Sequence, residues 1–210
     1  MAATMISAHG ITLKRNDKTI AEKFSIDILA GKIQALIGPN GCGKSTALSA
    51  IAGERDLYAG DISYDGLDLK ALSIEQLAQR RSVVAQSQRY SLGFKVNEIL
   101  EMATLVSGTA HDIETSIAAL DIASLLDRKV TSLSGGEQQR VSIAMGLAQG
   151  TPYFLLDEPF SAQDVESVSR ICNHLRKLAD SGKGILVVAH MPDSDLRWCD
   201  EIVRFPTMPN

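Results

Sequence analysis

The chain has 210 residues, 45% of them hydrophobic and 22% charged, with a formal net charge of -4. That length suits one domain, or one domain with an embedded subdomain, and the composition buries a core, which excludes a disordered chain. A mildly acidic balance supplies no overall basic field for gripping phosphate backbones, so nucleic acid is not the expected partner.

Cys42, Cys172 and Cys199 are odd in number and lack paired or metal-type spacing, which points to a reduced compartment rather than a disulfide framework. The opening MAATMISAHG lacks a basic start followed by a long apolar core. No later run reaches the roughly 20 apolar residues needed to cross a bilayer, and the expected location is the cytosol.

In chain order, apolar-polar alternation over 6–13 and 24–28 predicts two half-buried antiparallel strands joined by a turn at 15–18. IQALI, Ile33–Ile37, reads as a buried parallel strand. GPNGCGKST follows it, and a helical pattern through Leu48 and Ile51 comes next, which is the setting of a phosphate-binding loop. In such a loop Gly38, Gly41 and Gly43 let the backbone turn its N–H groups inward, with Pro39, Asn40, Cys42 and Thr46 completing it. Lys44 places an ammonium on the terminal phosphates, and Ser45 offers a hydroxyl to Mg²⁺.

The stretch from about 97 to 149 carries apolar positions suited to short amphipathic helices, among them Ile99, Met102, Ile113, Ile117, Leu120, Leu125 and Leu126. It is expected to form a helical subdomain, about 90–149, inserted into a core of about 1–89 and 150–210. Within it LSGGEQQR places Ser134 and Glu137 as a capping box, with Gly135 and Gly136 leaving helix N-terminal N–H groups open to an anion. Taken alone, that pattern fits a well-capped helix equally well.

Next comes YFLLDEP, an apolar strand that delivers two carboxylates at its end, where open α/β sheets place their ligands. Asp157 suits Mg²⁺ and Glu158 suits a general base for an attacking water. ILVVA reads as a further buried parallel strand, followed by His190, and another strand is expected near 201–205. The predicted fold class is α/β: a P-loop NTPase core of the RecA-like kind, with an N-terminal antiparallel β subdomain and an inserted α-helical subdomain.

GPNGCGKST, Gln86 in VVAQ, LSGGEQQR, YFLLDEP, SAQD and His190 occur in this order over nearly the whole length. In this the chain resembles the ATP-binding cassette (ABC) family of transporter ATPases, whose signature LSGGQ is met here as LSGGE. The resemblance implies ATP and Mg²⁺ as cofactors and a head-to-tail dimer with a second copy or a homologous ATPase, two ATP molecules being sandwiched between them. Ser134, Gly135, Gly136 and Glu137 would then serve the partner's ATP, with Asp164 of SAQD also at the nucleotide site. Gln86 would sense Mg²⁺ and the attacking water, and His190 would contact the γ-phosphate and Glu158.

The resemblance also implies an integral membrane permease as partner, a solute-binding protein acting indirectly, and a peripheral position on the cytoplasmic face of the membrane. Where relatives carry an aromatic residue to stack on adenine, this chain has Arg15, which is either a weaker adenine contact or a solvated turn residue. SAQD and DEPF replace the commoner SALD and DEPT but keep the named acids. Segments such as IEQLAQRRSVVAQ and LGFKVNEILEMA look most like the ATPases of importers for iron-siderophore complexes and haem. The alternatives are an exporter ATPase, a non-transport cassette ATPase acting on ribosomes or DNA, and a small-molecule kinase. The last would leave the signature helix and His190 unexplained. His9, His111 and His174 read as ordinary surface or packing residues.

Overall fold

A computed structural model describes residues 4–15, 18–86, 90–105 and 113–207. In chain order the strands are β1 (Met5–Arg15), β2 (Lys18–Leu29), β3 (Ile33–Ile37), β4 (Ala59–Tyr64), β5 (Leu67–Asp68), β6 (Arg81–Val84), β7 (Tyr153–Asp157), β8 (Gly184–Val188) and β9 (Glu201–Arg204). The helices are α1 (Lys44–Ile51), α2 (Ile74–Ala78), α3 (Val96–Thr104), α4 (Ile113–Ala119), α5 (Gly135–Ala148) and α6 (Val165–Asp180).

The first two strands pair antiparallel from Met5 opposite Leu29 to Arg15 opposite Lys18, and β4 and β5 extend the sheet in the order β2-β1-β4-β5. Along 24–28 the predicted alternation appears as Phe24, Ile26 and Ile28 buried, with Ser25 and Asp27 exposed. The central residues of the predicted turn, and His111, lie outside the described residues. β4 and β5 are additions to the sequence reading. Ile62 and Tyr64 are their only buried apolar residues, too few to set a period.

The second sheet is parallel throughout, in the order β6-β7-β8-β3-β9. Every residue of β3, β7 and β8 is buried, as expected where helices or another sheet cover both faces. Successive side chains of these strands go to two cores. Ile33, Ala35 and Ile37 join Leu156, Ile185 and Val187 on the side of α5 and α6, while Leu36, Leu155 and Leu186 pack against α1 and the antiparallel sheet. β6 is a further addition to the sequence reading: it takes the edge beside β7, with Ser82 and Val84 buried.

Between β6 and β7 the chain forms α3, α4 and α5. Val96, Ile99, Leu100 and Ala103 of α3 are buried, whereas Met102, placed by its spacing on the apolar face, is 45% exposed. α5 is buried over most of its circumference and packs on α3, α4 and β6. Gly146 permits this approach: a Cβ there would stand 2.6 Å from the Phe154 ring and 2.9 Å from Val84. The helix that begins with Gly135 is therefore anchored in the same core as β3, β7 and β8.

Candidate nucleotide site

The site gathers at the C-terminal ends of β3, β7 and β8 and just beyond β6, where a parallel sheet exposes the unpaired ends of its strands. After Ile37 the chain wraps through 38–43 into α1, whose N-cap is Gly43 at φ 115°. Only glycine fits that position. A Cβ would stand 2.0 Å from Ile20 Cγ2 of β2, so the hairpin presses directly on the loop. Lys44 is 4% exposed, and its Nζ donates to the carbonyls of Gly38 and Pro39 at 2.9 Å each. An ammonium held in a loop by two carbonyls is a charge set in place for an anion.

Above this loop lies a cleft of about 520 Å³ lined by Pro39, Asn40, Gly41, Cys42, Gly43 and Thr46 of the loop and by Arg15, Lys18, Thr19 and Ile20 of the hairpin. Arg15 thus shares a cleft with the phosphate loop. Among the described residues that line it there is no aromatic side chain.

Ser45 Oγ donates to Asp157 Oδ1 at 3.1 Å, joining the loop to the end of β7. Burial pushes the Asp157 carboxyl up from its ordinary value and the charge of Glu158 adds to this, while the Ser45 hydroxyl and Lys44 work against it. Glu158 stands at φ 48°, a strained conformation of order 1–3 kcal/mol for a non-glycine residue, and its N–H donates to Val188 O at 2.9 Å. The side chain is fixed from outside the strand: Gln86 Nε2 donates to Glu158 Oε2 at 2.7 Å. His190 follows β8 and shares with Glu158, Phe160 and Ser161 a second cleft of about 250 Å³.

Ser134 caps α5. Its hydroxyl accepts from the Glu137 N–H at 3.3 Å, and Glu137 Oε2 accepts from the Ser134 N–H at 2.7 Å. First-turn geometry then leaves the N–H groups of Gly135 and Gly136 without intrahelical acceptors. Neither those two residues nor Ser134 and Glu137 line the cleft over the phosphate loop. Asp164 is engaged in capping α6, its Oδ1 accepting the Ser167 N–H at 2.7 Å, a bond that lowers its carboxyl pKa.

Two contacts escaped the sequence reading. Gln163 Nε2 donates to Gly136 O at 2.9 Å, tying the SAQD turn to the signature turn, and Arg128 pairs with Glu137 at 3.2 Å. The unusual glutamine in SAQD was a visible signal for the first; nothing in the spacing of Arg128 announces the second. His174 is buried and bonds Ser116 at 3.1 Å, and His9 is exposed, both outside the site.

A phosphate loop, paired acids on a nearby strand and a glycine-led capped helix in an inserted helical segment define a P-loop ATPase of the cassette type. Residues 21–161 match the family described as ABC transporter, and the chain belongs to that family. The hemin import ATP-binding protein of Pseudomonas fluorescens is 37% identical over 209 residues, covering 95% of this chain and 82% of that protein. A dimeric bacterial ABC transporter cassette superposes with a TM-score of 0.81 at 26% identity, over 96% of this chain and 94% of that one. An ATP-binding subunit of an ABC transporter, 22% identical, matches in fold with a TM-score of 0.87 over 96% and 86% of the two chains. The activity that goes with this family is ATP hydrolysis by the transporter's nucleotide-binding subunit.

Proposed function

We propose that this chain powers the import of an iron chelate or a similar small solute through a separate integral membrane permease, from the cytoplasmic face of the membrane. Two copies, or one copy and a homologous ATPase, act head to tail, each ATP lying between one chain's phosphate loop and the other's signature helix. The observation that carries the pairing is the signature turn itself, whose glycine N–H groups have no intrahelical acceptor and which lines no part of its own chain's phosphate cleft. Import, and haem-like cargo, are supported by the likeness to a hemin import protein. A solute-binding protein would deliver the cargo to the permease. Among the described residues no helix is long and apolar enough to cross a membrane, which fits a peripheral subunit.

Lys44 and the loop N–H groups bind the β- and γ-phosphates. Ser45 and Asp157, oxygen donors already in contact, are a fitting donor set for Mg²⁺, and Gln86, held beside them through its bond to the neighbouring Glu158, would add its amide oxygen. When bound, Mg²⁺ would neutralise charge on the phosphates. Glu158 takes the proton of the attacking water, oriented by Gln86, and His190 lies beside it to contact the γ-phosphate. Helical segment 90–149 carries the signature turn and is embedded in the core of 1–89 and 150–210 as one unit with it. Asp164 supports the turn beside the nucleotide from its place at the start of α6.

Arg15 lies on the adenine face in place of an aromatic ring. Arg15→Ala is expected to weaken nucleotide binding about two- to fivefold, the scale of an exposed cation–π contact, with hydrolysis at saturation retained. Titration of the variant with a fluorescent ATP analogue checks this, and unchanged affinity makes Arg15 a solvated turn residue. The wider reading is tested by capturing tagged Glu158→Gln chain with ATP from gently solubilised cells and identifying what stays bound. A polytopic membrane protein is the expected companion; ribosomal or DNA-processing proteins would reject the transport role.

A further inference from the structure

Glu137 poses an electrostatic problem for the site proposed above. It stands in the first turn of a helix whose N–H groups are to hold a phosphate, and an uncompensated carboxylate there repels that phosphate. Both of its oxygens are engaged: Oε2 accepts the Ser134 N–H at 2.7 Å, and Oε1 accepts Arg128 Nη1 at 3.2 Å. Arg128 reaches α5 from the loop before it, and its Nη2 donates to Ser132 O at 3.3 Å, so one guanidinium spans the turn that leads into the signature. Protonation does not supply the neutralisation, because the Ser134 N–H, with Arg128 and Arg140 adding to it, holds the Glu137 carboxyl below its ordinary value. Arg140 is turned elsewhere, its Nη1 donating to Gln163 Oε1 at 3.4 Å.

We infer that Arg128 is a positioning residue for the partner's nucleotide: by pairing with Glu137 it cancels the charge that glutamate brings to the signature helix. The N–H groups of Gly135 and Gly136 and the Ser134 hydroxyl then meet a phosphate with net attraction. A glutamine at 137 would cap Ser134 through its amide oxygen without needing a cation, so the requirement for Arg128 belongs to the glutamate. Arg128 acts through Glu137 and touches no phosphate itself. The assignment rests on the head-to-tail reading.

The test is an ATP titration of dimer formation, followed by light scattering, in the hydrolysis-deficient Glu158→Gln chain. The pair is partly exposed, its side chains 46% and 23% accessible, and such pairs shift an equilibrium by up to about fivefold. With two such pairs and two ATP molecules per closed dimer, Arg128→Ala is expected to raise the half-saturating ATP concentration between about twofold and fivefold. The penalty should shrink as salt rises, and Arg128→Lys should recover most of the loss. Once Glu137→Gln is also present, Arg128→Ala should cost less than about twofold. Arg128→Gln gives the same contrast if the alanine variant fails to fold. An equal penalty with and without Glu137→Gln, or none in either, overturns the assignment and leaves Arg128 a loop-packing residue. If the Glu158→Gln parent forms no dimer with ATP, the head-to-tail reading itself falls.

Discussion

Glu158→Gln is expected to lower the rate of phosphate release by about 10²–10⁴-fold, the range supplied by a positioned general base, with nucleotide binding retained. The amide is close to an isostere and can turn its oxygen toward Gln86 Nε2, preserving the 2.7 Å contact that fixes the side chain. The strained backbone at φ 48° and the N–H bond to Val188 involve no carboxylate oxygen, so they too persist. What is lost is the proton acceptor, so a closed, ATP-loaded dimer should accumulate. Single-turnover phosphate release together with ATP binding measures both halves. Hydrolysis at the parent rate would remove Glu158 from the mechanism and shift attention to His190, its neighbour in the same cleft.

Lys44→Ala should cost about 10²–10³ in rate, by comparison with other fixed electrostatic donors lost from a transition state. The ammonium is buried and already oriented, so no ordering cost is met when phosphate arrives, and a mobile surface lysine could not replace it. The substitution also removes the Lys44 donor from the Gly38 carbonyl and leaves the Pro39 carbonyl with the Cys42 N–H at 3.4 Å, which loosens the loop and weakens ATP binding as well. Phosphate release and nucleotide affinity should therefore fall together, in contrast to Glu158→Gln, while thermal unfolding stays cooperative. Unchanged release would reject the assignment.

Both substitutions concern residues that are legible from the sequence, because each belongs to a contiguous motif whose local backbone dictates its task. GPNGCGKST contains its own turn chemistry, and the structure adds that Gly43 is required by Ile20 of a strand more than twenty residues earlier. The buried strands 33–37, 153–157 and 184–188 announce themselves as largely apolar runs, interrupted by Gln34 in the first and ended by Asp157 in the second, since a strand covered on both faces needs no polar side. β6, β4 and β5 do not: β6 at its sheet edge and β4 between β1 and β5 depend on partners distant in sequence, and β5 is only two residues long, which leaves little local pattern.

The missing β6 matters for the site. It sets Gln86 beside the end of β7, and the contact with Glu158 spans 72 positions along the chain. No periodicity encodes such a meeting. The same holds for Gln163 on Gly136, 27 positions apart, and for Arg128 with Glu137, nine positions apart, where the loop before α5 must fold back onto its first turn. By itself the sequence determined the family, the phosphate loop, the paired acids and the capped signature helix, because hydrogen bonding and steric demand within a few residues suffice for each. Only the tertiary structure decided which side chain holds Glu158, which cation pairs with Glu137 and that Arg15 lines the phosphate cleft, because these depend on how strands and loops outside each motif pack against it.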